Sequence, residues 1–324
     1  MTRRMGLVAV ALAVLLAAAA TGLVLAGQRE VTTPPHAAPA PSLALVVVRG
    51  EAAAFAAVVG STGRGRLGAI VVPTELTVTI PGQGDGTVGD ALDLPGRQAA
   101  TAIANLLGVW IDHHAEIPAS ALAAVVDRVG VEAGGAELDE RDVLASLETP
   151  GRAGTIAFEL VLEGLLRAAP GWEAADLGEA DDPTAVAEAL TGAAGVDVVV
   201  LPAEEGTPGI VRADPEAVRE TLVAAFGGPD REVVSVIVLN GSGVPGVGEI
   251  VAERIVPGGF RIVVNENAST FDHEETLVVV GSADDVPLGE RVRDLLGVGS
   301  VSVSVSSGIA PVTVVVGKDL TSGG

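Results

Sequence analysis

Three uninterrupted apolar runs, Leu43–Val48, Ala52–Gly60 and Leu67–Val72, constrain the fold most. A strand with one face in water alternates apolar and polar residues. A strand that is apolar at every position must be covered on both faces. Each run is too short for a stable helix, and the Gly-rich stretch Ser61–Arg66 breaks the last two apart. Glu75–Ile80 alternates and reads as a further strand, followed by a loop over Pro81–Gly86. Helical spacing then appears at Ala99, Ile103, Leu106 and Leu107 and stops near Gly108. Ile117–Val129 and Ala153–Leu166 read as two more helices, with His113 and His114 on a strand before them. Trp172–Pro183 is acidic and reads as a loop, and Val196–Leu201 as a strand. Asp214–Phe226 predicts a helix with Asp214 as N-cap and Pro215 at its first position. Strands interleaved with helices in this way predict a mixed α/β (α+β) domain. Aromatics are 2% of the chain and Tyr is absent, so its cores must be built from Val, Leu, Ile and Ala.

Gly227, Gly228 and Pro229 mark a boundary, after which a smaller α/β unit is expected. Its strands are Val233–Leu239, Phe260–Val264, Thr276–Val280, Val301–Val305 and Val312–Val316, and its helices Val247–Ile255 and Val286–Leu296. Gly241, Gly243 and Gly246 spell G-x-G-x-x-G between a strand and a helix, with Glu266 20 residues after Gly246. That is the form of a dinucleotide fingerprint. The structural reading is preferred: Pro245 helps start the helix, the glycines allow close packing, and no full dinucleotide-binding half follows.

Arg3 and Arg4 precede an uncharged, mostly apolar run, Met5–Gly27. About 20 apolar residues span a bilayer core, and a basic flank favours a cytoplasmic N-terminus. The expectation is a transmembrane anchor over 1–27, a Pro-rich linker over 28–42 and an extracytoplasmic bulk, hence a single-pass cell-membrane protein. A cleaved signal peptide is the alternative. His36, in the linker, reads as solvated. The net charge of −23 repels phosphate backbones, which argues against nucleic acid as a partner. No cysteine is present, which excludes disulfides, thiolate metal sites and Cys nucleophiles. Arginine replaces lysine everywhere except Lys318, a usage that accompanies GC-rich bacterial genomes.

PTELTVTIPG (Pro73–Gly82) resembles the PRDTxVxIPG strand-end motif of the LytR–CpsA–Psr family. GDALDLPGRQAATAIANLLGVWIDHH, ASALAAVVDRVGVEA and LDERDVLASLETPGRAGTIAFELVLEGLL follow in the order in which that family carries its later motifs. The similarity runs over roughly residues 43–170. Behind it, VIVLNGSGVPGVGEIVAERIVPGGFRIV and PVTVVVGKDL resemble the LytR C-terminal domain, over roughly 232–320. The organisation implied is a LytR–CpsA–Psr-like domain over 43–228 and a LytR C-terminal-like domain over 232–320.

The resemblance implies transfer of glycopolymers from polyprenyl-pyrophosphate carriers to peptidoglycan, a phosphoryl transfer. In the family a metal on acidic side chains and several arginines offset the pyrophosphate charge. This chain departs from that equipment. Thr74 and Glu75 stand where the motif has Arg-Asp, and no carboxylate follows Glu51 in Ala52–Val59. Arg152 matches the first arginine of the last motif, Thr155 falls where the second should be, and Glu148 or its neighbours fill a third arginine position. Arg97 lies in the right helix but off the motif spacing. The expectation is a degenerate site, a pseudoenzyme of the cell envelope that binds or helps place wall glycopolymers or modulates active relatives. The alternative is an active transferase. The catalytic candidates are then Glu75 and Arg152, the ligand-binding candidates Arg97 and Arg152, with Glu51 as a further displaced carboxylate; no metal site is assigned, and Mg²⁺ is needed only if the chain is active. Arg64 and Arg66 read as a solubilising turn. His113 and His114, with Asp112 and Glu116 close by, lack a third histidine at ligand spacing and read as packing or exposed residues.

Overall fold

The computed structural model describes residues 42–61, 66–133, 135–168, 173–190, 195–206, 210–227, 232–304 and 308–321. Residues 39–324 cluster as one compact unit. The first region runs β1 (Leu43–Arg49), β2 (Ala54–Ser61), β3 (Leu67–Val72), β4 (Thr77–Ile80), β5 (Gly84–Thr87), α1 (Val88–Leu92), α2 (Gly96–Leu107) and β6 (His113–Pro118). It continues through α3 (Ala119–Val129), β7 (Val131–Ala133), β8 (Ala136–Leu138), α4 (Glu140–Leu147), α5 (Gly151–Arg167), β9 (Glu179–Ala180), α6 (Pro183–Leu190) and β10 (Val196–Val200). The short pair β11 (Glu204–Glu205) and β12 (Val211–Arg212) precedes α7 (Pro215–Phe226).

Six strands form one sheet in the order β10-β3-β2-β1-β6-β9. The central strand β1 runs antiparallel to β2 and parallel to β6. Its side chains alternate between two cores. Leu43, Leu45 and Val47 join a core with α1, α2 and α7. Ala44, Val46 and Val48 join a second with α3, α4, α5 and α6. The continuous apolar run is therefore a strand covered on both faces. In the second core Phe55 and Phe158 stack with ring centroids 5.2 Å apart.

Local signals place the helices. Asp214 caps α7, accepting from the Glu216 and Ala217 amides at 2.9 and 3.1 Å, with Pro215 at the first helical position. Asp139 caps α4 through a capping box with Asp142. Two expected loops carry structure. Gly84–Thr87 pairs with β4 as a hairpin. Between Glu173 and Pro183 lie a 3₁₀ turn, Ala174–Leu177, and β9 on the sheet edge. Glycine composition hid the first and acidic composition the second: β5 is held by its neighbour β4, and β9 by the distant strand β6, rather than by local preference.

The second region holds β13 (Val234–Asn240), α8 (Val247–Ile255), β14 (Phe260–Asn267), β15 (Leu277–Val280), α9 (Val286–Leu296), β16 (Ser300–Val303) and β17 (Val312–Val316). Its five-stranded sheet has the order β14-β13-β17-β15-β16. The two regions keep separate sheets yet share one core: Ile103 and Leu107 of α2 belong to the same cluster as Val251 of α8 and Ile262 of β14.

Asn105 is the polar link between them. It is 1% exposed, and its amide donates to Ile262 O at 2.9 Å and Thr79 O at 3.1 Å. Its Oδ1 accepts from Ile262 N at 2.7 Å. β14 is an edge strand, and this side chain supplies the donor and acceptor that a further strand would have offered.

The expectation of a single-pass membrane protein is corrected here. Among the described residues no helix is long and apolar enough to cross a membrane. Residues 1–27 and the linker 28–42, apart from Ser42, lie outside the described residues, as do His36 and Arg64.

Candidate functional site

The polar side chains expected to matter gather in part along the face of β6 that α1 and α2 cover. The elbow Asp93–Pro95 between these helices lays the start of α2 against the strand. Gly96 makes the approach possible: a Cβ there would sit 2.1 Å from the His114 ring. The next residue, Arg97, donates to Ile111 O at 3.1 Å and to Asp112 O at 2.7 Å, and pairs with Asp181 at 3.1 Å. It also lies over the Trp110 ring, 5.6 Å from the centroid.

Asp181 is the hub of this cluster. Its carboxylate accepts from the His114 amide at 2.9 Å and lies 3.1 Å from His114 Nδ1 and 3.9 Å from His113 Nδ1. The short His114 Nδ1 distance is a salt-bridge contact without hydrogen-bond alignment, so that buried nitrogen lacks a hydrogen-bond partner. Burial by itself raises the Asp181 carboxyl. The His114 amide and imidazole, Arg97 and the Asp182 amide outweigh it and hold the carboxyl below the usual carboxylate range. The sign follows: a depressed folded-state pKa stabilises above the unfolded value and is lost as pH falls through the folded one. The expected result is that the stability advantage of the natural protein over Asp181→Asn is retained down to about pH 5, where the neighbouring imidazoles carry charge, and shrinks below about pH 4. Urea unfolding at stepped pH measures it; an advantage that keeps growing below about pH 4 contradicts the assignment.

Farther along β6, Glu116 receives Arg49 Nε at 2.6 Å. Arg49 also donates to Leu92 O at 2.8 Å and lies 3.5 Å from Asp93. The Glu116 hydrogen bond leads the causes that hold the Arg49 guanidinium above its ordinary value. Sequence reasoning overlooked Arg49; the available signal was a cation closing an otherwise apolar central strand.

The remaining candidates stand apart. Arg152 is exposed in the first turn of α5 and has no ion-pair partner among the described residues. Thr155, at the second arginine position, is 5% exposed and returns its hydroxyl to Gly151 O at 3.2 Å, facing the core. Glu75 is half-buried in the turn between β3 and β4, and its Oε2 is buried without a hydrogen bond. No hydrogen bond or ion pair among the described residues joins Glu75, Arg97 and Arg152. Glu51 is exposed, and Arg66 pairs with Asp197 at 2.6 Å. Glu148 lines a cleft of about 480 Å³ with Asp127, Asp139, Glu140 and Arg141, an acidic wall that repels phosphate. Among the described residues no three His, Asp or Glu side chains converge as a metal site. Among the described residues no group of carboxylates gathers to hold a metal against a pyrophosphate, and Arg97 is bound to protein oxygens.

The glycine motif lies elsewhere, at the carboxyl end of β13. Asn240 Oδ1 accepts from the Ser242 amide at 3.2 Å and the Gly243 amide at 3.0 Å. The N–H groups that would cradle a phosphate are thereby occupied. Gly248 admits the neighbouring hairpin, since a Cβ there would lie 2.5 Å from Gly82 N. The pocket between them, about 150 Å³, is smaller than the roughly 300 Å³ where ligand sites begin. The loop is built for packing, as its sequence suggested.

Residues 233–320 match the family described as LytR cell envelope-related transcriptional attenuator. No curated protein matches the chain. Similar solved structures include a transcriptional regulator from Enterococcus faecalis, 18% identical, covering 59% of this chain and 90% of that one with a TM-score of 0.48. TagT of Bacillus subtilis is 15% identical, with 62% of this chain and 98% of that one covered and a TM-score of 0.47. The LytR-CPS2A-psr family protein YwtF (TagT), solved with bound octaprenyl pyrophosphate lipid, is 16% identical, with 62% and 98% covered and a TM-score of 0.45. The chain thus carries a LytR C-terminal domain at residues 233–320, behind a mixed α/β region whose sequence motifs resemble the LytR–CpsA–Psr family.

Proposed function

We propose that this chain is a non-catalytic cell-envelope protein that binds a wall glycopolymer or its polyprenyl-pyrophosphate-linked precursor. The ligand class comes from the ordered motifs between Pro73 and Leu166 and from the LytR C-terminal domain behind them. The observation that carries the absence of catalysis is the state of Arg97. Its guanidinium is spent on Ile111 O, Asp112 O and Asp181, so it has little left to offset charge developing on a pyrophosphate. Thr74 and Thr155 at the arginine positions support the same reading, because a hydroxyl cannot form the bidentate clamp.

The test is titration of the protein with polyprenyl pyrophosphate and Mg²⁺, following binding and phosphate release together. Saturable binding with no phosphate release is the expected result. Turnover above the uncatalysed rate refutes it. One observation favours residual phosphoryl transfer instead: the buried, unpartnered Oε2 of Glu75 is the kind of oxygen a cation would satisfy. On that second reading Glu75→Gln abolishes both Mg²⁺ dependence and turnover; on the first it changes neither.

A further inference from the structure

The five-stranded sheet buries one face and leaves the other outside both cores. Val236, Val238, Phe260, Ile262, Val278, Val280, Val312 and Val314 join α8 and α9 in the shared core. The intervening residues point the opposite way. Register sets Ile237 and Leu239 of β13 beside Thr313 and Val315 of β17, and these beside Val279 and Leu277 of β15. None of Ile237, Leu239, Leu277, Val279 and Val315 packs into either core. Ile237 is buried between its neighbours, and the rest are half-buried.

β14 adds charge to this face. Arg261 lies opposite Ser235, and beyond the bulge Val264 lies opposite Ile237 and Glu266 opposite Leu239. The bulge matters, because it returns Glu266 to the face that Arg261 occupies. Arg261 is half-buried, its Nε is out of water, and it has no hydrogen bond or ion pair among the described residues. Desolvation lowers its pKa, with no carboxylate to oppose the shift. A guanidinium left in that condition is costly, and more so in a chain of net charge −23, where carboxylates are plentiful.

We propose that this face is the interface of a homodimer, in which two copies stack their C-terminal sheets and Arg261 of each pairs with Glu266 of the partner subunit. A two-fold axis between the sheets, running across the strands, lays β14 over its counterpart in the reverse direction. The Arg261 end of one strand then covers the Glu266 end of the other, and the apolar middle row packs on itself. Face-to-face sheets pack about 10 Å apart, a distance that long side chains such as Arg and Glu can bridge. The interface is isologous, as closed dimers require. A second copy supplies both the apolar match and the missing carboxylate.

Sedimentation equilibrium of the full chain, from micromolar to sub-millimolar concentration, tests this. The natural protein is expected to form a reversible dimer. Arg261→Glu alone and Glu266→Arg alone each set like charges face to face and raise the dissociation constant about tenfold or more. An equimolar mixture of the two variants restores the dimer, because the mixed pair holds two opposite-charge contacts. Thermal unfolding of each variant confirms that it folds. A monomeric natural protein overturns the proposal. So does a dimer indifferent to both substitutions, which places association elsewhere, for instance in the apolar run 5–27. Folded variants that stay monomeric when mixed also overturn it, as does association that requires an added wall glycopolymer.

Discussion

Asn105→Leu is expected to lower the free energy of unfolding by about 3–5 kcal/mol, although the new side chain is apolar and keeps the same heavy-atom branching. The loss comes from what the amide leaves behind. Ile262 N–H, Ile262 C=O and Thr79 C=O all bond to Asn105, which lies in a core that water does not reach. A buried backbone group deprived of its partner costs about 1–3 kcal/mol, and three are deprived here. Asn105→Asp fares little better, since it keeps the acceptor for Ile262 N–H but turns a carboxylate oxygen toward two carbonyls. Hydrogen exchange at the Ile262 amide locates the effect. A loss under about 1 kcal/mol for the leucine variant, with Ile262 still protected, shows that the amide is dispensable.

Phe158→Ala is expected to cost about 3–5 kcal/mol by the same urea measurement. Phe158 is fully buried, stacks on Phe55 at 5.2 Å and belongs to the aliphatic core on the α5 side of the six-stranded sheet. The chain has only five phenylalanines and two tryptophans, so few side chains could swing in to fill the void. Phe158→Leu should cost about 1–1.5 kcal/mol, because most of the volume is kept. Equal losses for the two variants would mean that the ring geometry, rather than the filled volume, carries the stability.

The two predictions differ in how far the sequence exposes them. Phe158 could be placed in a core from helical periodicity over Ala153–Leu166. The role of Asn105 could not. It lies in the same helical run as Ile103 and Leu107, but its partner is 157 residues away. A polar residue on an apolar helix face signals a buried bond, without saying to what. The shared core of the two regions was hidden for the same reason, since a Gly-Gly-Pro stretch reports local chain direction and not what packs across it.

The candidate site shows a similar division. The departures at Thr74, Glu75 and Thr155 were legible, because they are substitutions within motifs. The commitment of Arg97 to Ile111 O, Asp112 O and Asp181 was not, because it depends on where the α1–α2 elbow sets α2 on β6. Neighbours such as His113 and His114 point to opposite faces of a strand. At the sheet edge both imidazoles nevertheless come within 4 Å of Asp181, at 3.9 and 3.1 Å.

By itself, then, the sequence determined the strands buried on both faces, the helices α7, α8 and α9 nearly to the residue, and the glycine loop as a packing device. Apolar runs, caps and helical spacing act within a few residues, so they can be read along the chain. Only the tertiary structure decided which charges are spent on one another and that Arg261 is left without a partner among the described residues. Ion pairing and desolvation depend on groups that folding brings together from distant positions, and no local pattern encodes their separation.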